Sequence, residues 1–201
     1  MPNYYKLGKI PVEVIDNFKK EVNQLKTNES YQWIKFNEKM SRIFFDIFSN
    51  NELKIQKKPS GELVQKVFYS APGHGFRIHK DGVSCKSALN IAISSNSSDW
   101  VRWYDEVYIE KISRCNVTDS SRYNFGLSRN IDIREYENIP FEDELRVETG
   151  DVYILDVDKY HSFKCNGPNA RIIMQTKFEN FPTLEDLRKK ISIDNFKNGT
   201  L

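Results

Sequence analysis

Histidine and cysteine are both scarce in this chain, with three of each in 201 residues. Cys85, Cys115 and Cys165 are odd in number and show no C-x-x-C spacing, which argues against a disulfide framework or a zinc knuckle. An excess of either charge is missing too, because 30 Lys and Arg stand against 28 Asp and Glu. So balanced a chain has no strong electrostatic footprint for nucleic acid or an anionic membrane. No stretch approaches the roughly eighteen apolar residues of a membrane span. The first residues, Met1-Pro2-Asn3-Tyr4-Tyr5-Lys6-Leu7, lack the apolar run of a signal peptide. The expectation is a soluble, cytoplasmic protein. Repeats, low-complexity tracts and linkers that would split the chain are also absent, so a single domain over residues 1–201 is expected.

What is present changes character along the chain. Val14, Ile15, Phe18, Val22 and Leu25 recur at helical spacing after Pro11, which predicts an amphipathic helix over 12–26. A second helical pattern runs through Met40, Ile43, Phe44, Ile47 and Phe48 to the Ser49-Asn50-Asn51 break, so residues 1–50 are expected to form a helical N-terminal part. From about residue 63, β-rich runs take over at 63–70, 76–81, 88–94, 101–108, 145–155, 160–164 and 171–178. Short strands separated by turn residues, with little helix, predict a sandwich or jelly roll over 63–180. An irregular insert at 105–148 segregates its charge, with Arg114, Arg122, Arg129 and Arg134 first and Glu135, Glu137, Glu142, Asp143 and Glu144 later. It is read as a solvated excursion or a pocket cover. Pro182-Thr183-Leu184-Glu185-Asp186 then opens a short C-terminal helix within 181–201, with Thr183 as its cap.

The chemistry concentrates in Phe76-Arg77-Ile78-His79-Lys80-Asp81. In an extended strand His79 and Asp81 point the same way and Lys80 the other. An imidazole and a carboxylate so placed are two thirds of the facial triad that holds a first-row metal with open positions. His161, in Tyr160-His161-Ser162-Phe163 after the strand opened by Gly150-Asp151, would complete it. The turn Asn166-Gly167-Pro168-Asn169 leads from there to Arg171, which suggests a hairpin carrying both residues. If Cys165 pairs with Asn169, then Phe163 pairs with Arg171, and His161 shares Arg171's face. A two-residue loop would put them on opposite faces. His74, five residues before His79, is read as a loop residue rather than a ligand.

This order, His79-x-Asp81, then His161, then Arg171 ten positions on, resembles the Fe(II)- and 2-oxoglutarate-dependent dioxygenases. Pro72-Gly73, Leu89-Asn90-Ile91 and Trp103-Tyr104 are similar to the text around this family's motifs, and the likeness covers roughly 64–178. It implies a double-stranded β-helix, mainly β with flanking helices packed outside. It implies Fe(II) on His79, Asp81 and His161, and 2-oxoglutarate anchored by Arg171, with Asn90 or Tyr69 touching the co-substrate. The charges agree, since Fe(II), one carboxylate and one guanidinium sum to the two positive charges that 2-oxoglutarate balances. The implied activity uses O2 to hydroxylate an unactivated C–H bond, releasing succinate and CO2. Related halogenases lack the carboxylate, so Asp81 favours hydroxylation.

Two other readings compete. A cupin-like metalloenzyme would use several histidines without 2-oxoglutarate, although cupins usually present His-x-His where this chain has His-x-Asp. A non-catalytic jelly-roll binding protein would carry the triplet by accident. The sequence does not choose among a free amino acid, another small metabolite and a peptidyl side chain as substrate, and it leaves the oligomeric state open.

Overall fold

The computed structural model of the protein describes residues 1–22, 31–33, 54–57, 65–81, 85–114 and 138–191. Thirteen elements follow in chain order: β1 (Tyr4–Lys9), α1 (Val12–Val22), β2 (Tyr31–Trp33), β3 (Gln65–Ser70), β4 (Gly75–His79), β5 (Ser87–Ser94), β6 (Trp100–Trp103), α2 (Glu106–Arg114), β7 (Asp143–Arg146), β8 (Asp151–Asp156), β9 (His161–Lys164), β10 (Arg171–Lys177) and α3 (Leu184–Lys190). The expected helix through Met40 and Phe48 lies outside the described residues, as do 23–30, 115–137 and 192–201.

The strands form two antiparallel sheets, one in the order β1-β8-β5-β10-β3-β2 and the other β4-β9-β6-β7. From β3 onward the strands alternate between the sheets in a jelly-roll winding, except that β6 and β7 are neighbours in the smaller sheet. Alternation of side chains along each strand then makes three apolar layers. Ala88, Ala92, Tyr153, Leu155 and Ile173 meet Val101, Trp103 and Leu145 between the sheets. Leu89, Ile91, Ile93, Val152, Ile154 and Met174 face outward from the larger sheet. There they meet Ile15, Phe18 and Val22 of α1 and Leu184 and Leu187 of α3. Burial on both faces explains why β5 and β8 read as continuous apolar runs. A third, smaller layer packs Ile109 of α2 against Ile78, Tyr104, Ile139 and Tyr160.

Several expectations are corrected by this winding. The N-terminal part is not all helix, because Tyr4–Lys9 forms an edge strand on β8. Only Leu7 of that strand is fully buried, so its periodicity is weak in sequence. The run at 101–108 stops at Trp103, and the beginning of the insert is helical. Asp105 ends the strand by capping: its Oδ1 accepts from the Tyr108 N–H at 2.6 Å. The run at 145–155 is two strands in different sheets, with Gly150 at φ 90° in the crossing. The C-terminal helix begins as expected, with Thr183 Oγ1 accepting from the Asp186 N–H at 3.1 Å.

The largest correction concerns β9 and β10. They are not arms of one hairpin, because β9 pairs with β4 and β6 while β10 pairs with β3 and β5. The Asn166–Asn169 turn carries the chain from one sheet to the other. Asp99 fixes that crossing. Fully buried, its carboxylate accepts from the backbone N–H groups of Asn96, Asn166 and Gly167 at 2.9, 2.9 and 3.2 Å and from Ser95 Oγ at 3.0 Å. Gly167 is required at the contact, because a Cβ there would lie 2.0 Å from Asn96 Cγ.

Candidate metal centre

β4 and β9 bring the two site histidines together, since His79 is the register partner of His161, with Trp103 of β6 on the other side of β9. Gly75 lets these strands approach: a Cβ there would lie 2.5 Å from the Phe163 carbonyl oxygen. Asp81 lies just beyond β4, held by donation of its N–H to the Val157 carbonyl at 3.0 Å. One ligand atom from each of His79, Asp81 and His161 falls within 4.8 Å of the others. Asp81 Oδ1 is 3.3 Å from His79 Nε2 and 4.0 Å from His161 Nε2.

The orientation of both rings suits a metal. His79 Nδ1 lies 2.8 Å from the Arg77 carbonyl oxygen and His161 Nδ1 lies 2.9 Å from that of Lys159. An oxygen that only accepts fixes the proton on Nδ1, so each Nε2 turns a lone pair toward Asp81. Burial pushes His161 down to about 4, helped by the neighbouring His79, so its imidazole is neutral at pH 7. For Asp81, burial disfavours the charged form, yet the neighbouring His79, His161 and Lys177 outweigh it and hold the carboxyl below its ordinary value. Two neutral imidazoles and a carboxylate are the donors a divalent first-row ion takes.

Arg171 faces the same interior from the opposite sheet. It is 3% exposed and begins the inward series that includes Ile173 of the inter-sheet core. Its guanidinium lies 4.5 Å from the centre of the Phe163 ring. Phe163 stacks on Phe76 at 5.9 Å, and Phe76 meets His79 edge-on at 4.6 Å. Arg171 is therefore separated from the metal ligands by a short wall of aromatic rings.

Beside it is a residue that sequence reasoning missed. The Tyr153 hydroxyl and Arg171 Nε are both buried without a hydrogen-bond partner among the described residues. Burial pushes the Tyr153 hydroxyl up to about 12, with the charge and close approach of the Arg171 side chain pulling the other way, so the phenol stays protonated, and the approach falls short of hydrogen-bond geometry. Two unfulfilled donors in one place form a cradle for an anion, and leaving them unfilled costs about 1–3 kcal/mol each.

Asn90 lies on this inner wall, paired in register with Tyr153 and Gln175. Protein groups meet its amide: Nδ2 donates to the Ala88 carbonyl at 3.0 Å, and Oδ1 accepts from Gln175 Nε2 at 3.4 Å. Tyr69 is not brought to the site. It pairs with Ile172, on the opposite face of β3 from Ser70, the partner of Arg171. His74 is exposed in the turn before β4 and lies outside the cluster.

No protein-family model and no curated protein matches the chain. Solved structures do match in fold. HygX from Streptomyces hygroscopicus, with nickel and 2-oxoglutarate bound, superposes with a TM-score of 0.56 at 12% identity, over 90% of this chain and 84% of HygX. The iron-bound form of HygX gives 0.56 at 10% identity, with the same coverage. SnoN, a non-heme α-ketoglutarate-dependent epimerase from nogalamycin biosynthesis, gives 0.52 at 12% identity, over 88% of this chain and 78% of SnoN. The chain thus has the double-stranded β-helix fold of these proteins, and in its His79-x-Asp81, His161 and Arg171 pattern it resembles the Fe(II)- and 2-oxoglutarate-dependent enzymes.

Proposed function

We propose that the protein is an Fe(II)- and 2-oxoglutarate-dependent oxygenase that hydroxylates an unactivated C–H bond of an amino acid, another small metabolite or a peptidyl side chain. The observation that supports this best is the pairing of two half-sites in one barrel: three metal donors with both Nε2 atoms turned inward, and two buried donors awaiting an anion. A structural metal site would explain the first and leave the second unexplained. The orphaned donors likewise count against a non-catalytic jelly roll.

Each part has a task. His79, Asp81 and His161 would hold the ion, which with only three protein ligands would keep positions for the co-substrate and O2. Arg171 and Tyr153 fix the far carboxylate of the co-substrate, the guanidinium supplying charge and the phenol a neutral hydrogen bond. Phe76 and Phe163 line the space between, joined by ring contacts to each other and to His79. The bound Fe(II), 2-oxoglutarate and O2 supply the oxidising chemistry, with succinate and CO2 as by-products.

A second outcome of the same machinery is epimerisation, favoured by the likeness to SnoN. A screen for substrate-stimulated succinate formation tests both readings. A product that has gained one oxygen atom supports hydroxylation, and one of unchanged mass with an inverted centre supports epimerisation. A metal-loaded protein that never converts 2-oxoglutarate to succinate, with or without candidate substrates, refutes both.

A further inference from the structure

We propose that residues 104–109, which lead into α2 and form its first turn, position the metal ligands from the side away from the metal, with Lys80 as the principal link. Docking of α2 and binding of the metal then reinforce each other. This rests on the reading above, in which His79, Asp81 and His161 hold the metal.

Alternation along the chain divides the ligand strands into two sides. His79, Asp81 and His161 turn their donors toward one another on the inner side. Their neighbours in sequence turn the other way. Ile78 and Tyr160 belong to the small apolar layer that also holds Tyr104 and Ile109. Lys80, set between two of the ligands, points into the same layer: its Nζ pairs with the Glu106 carboxylate and lies 4.6 Å from the centre of the Tyr160 ring. Ser162, which follows the third ligand, is fully buried and shares a hydrogen bond of 2.6 Å with the Tyr104 hydroxyl. The Tyr104 N–H donates to the Tyr160 carbonyl at 3.0 Å. Ile78, Lys80, Tyr160 and Ser162 are thus all secured by one short stretch of chain.

That stretch is itself lightly anchored. Among residues 106–112 only Ile109 is buried, and Val107 is 74% exposed. A helix with so few buried contacts opens locally at small cost. When it leaves its seat, the supports of all three ligands are lost together, and groups behind the ligands are what fix a metal site's geometry. Conversely, an ion that fixes the three ligands holds the seat in place. By linkage the two effects are one coupling free energy seen from either end.

Co(II) serves as the probe, because its d–d absorption reports occupancy and ligand geometry together. Lys80→Met and Glu106→Gln should each weaken Co(II) by about three- to tenfold. The double variant should lose no more than the stronger single one, since both break the same link. Lys80→Arg, which keeps the charge and the ring contact, should stay within about twofold of the parent. The two single variants change charge in opposite directions. Removing a cation beside a metal site would by electrostatics alone strengthen it, so a loss in Lys80→Met marks positioning. Glu185→Gln breaks an ion pair on α3 instead and should leave Co(II) affinity unchanged. In the parent, saturating Zn(II) should slow hydrogen exchange at the amides of 109–112 by about threefold or more. Folded Lys80→Met and Glu106→Gln proteins that bind Co(II) like the parent overturn the proposal. So do losses that multiply in the double variant, tighter binding in Lys80→Met, or exchange in α2 that is indifferent to metal. A parent that takes up no Co(II) refutes the metal reading itself, and the proposal with it.

Discussion

Replacing Tyr153 with Phe should change the protein in two opposite directions. The hydroxyl is fully buried and makes no hydrogen bond among the described residues, so the co-substrate-free protein bears a desolvation cost of about 1–3 kcal/mol. Phe removes that group and keeps the ring that packs between the sheets. For a domain of this size each kcal/mol recovered raises the melting temperature by roughly 2–4 °C. Binding should move the other way. If the phenol donates to the far carboxylate of 2-oxoglutarate, its loss forfeits a charge-assisted hydrogen bond of about 1.5–3 kcal/mol, a roughly ten- to hundredfold weaker affinity. Thermal melting without co-substrate measures the first effect. Anaerobic titration of 2-oxoglutarate into the Fe(II) form, followed by its charge-transfer band, measures the second. A Tyr153→Phe protein that melts lower and binds 2-oxoglutarate like the parent would refute the reasoning, because the hydroxyl would then be satisfied by something other than the co-substrate.

Three further outcomes are expected. Arg171→Leu should retain iron but weaken 2-oxoglutarate a hundredfold or more, from the roughly 3–5 kcal/mol lost when a buried ion pair is broken, and Lys should rescue only part of this because it cannot reproduce the guanidinium fork; calorimetry with each ligand separates the two effects. Gly75→Ala should push β4 from β9, where a Cβ would lie 2.5 Å from a backbone oxygen, lowering metal affinity at least tenfold without altering a ligand; normal affinity by metal titration would mean the strands accommodate the methyl. The metal-free protein should also lose stability in acid. Below about pH 6.5 the unfolded chain protonates His161, whereas the folded barrel resists until about pH 4, so stability should fall across that window by on the order of 3 kcal/mol. Urea unfolding at several pH values checks this, and a His161→Gln variant should show a smaller decline.

Different parts of the site were legible in the sequence to different degrees. His79 and Asp81 can be read as one unit because strand alternation is a local rule that needs no knowledge of neighbours. His161 and Arg171 do face a common interior, but by another route than a hairpin: β9 and β10 belong to opposite sheets and turn their inner faces toward each other. Nothing in the turn Asn166-Gly167-Pro168-Asn169 marks a crossing between sheets. The mark is Asp99, far away in sequence, which accepts from both turns. Tyr153 is hidden because β8 is buried on both faces, so no polar alternation shows which of its residues point inward. Tyr69 illustrates the same limit, since a one-residue change of register exchanges it with Ser70. The helix after Trp103 was more accessible. Asp105 before Ile109 and Ile112 is a capping residue ahead of helical spacing, and the strand-like Val101–Trp103 run obscures it.

The central claim is that His79, Asp81 and His161 together hold one iron per chain. Anaerobic equilibrium dialysis against Fe(II), with the metal counted per chain and the fold of each variant checked by circular dichroism, tests it most directly. The parent should retain one ion. His79→Ala, Asp81→Ala and His161→Ala should each lose most of it while remaining folded, and the triple variant should retain none. Full occupancy in a folded triple-alanine variant would contradict the account.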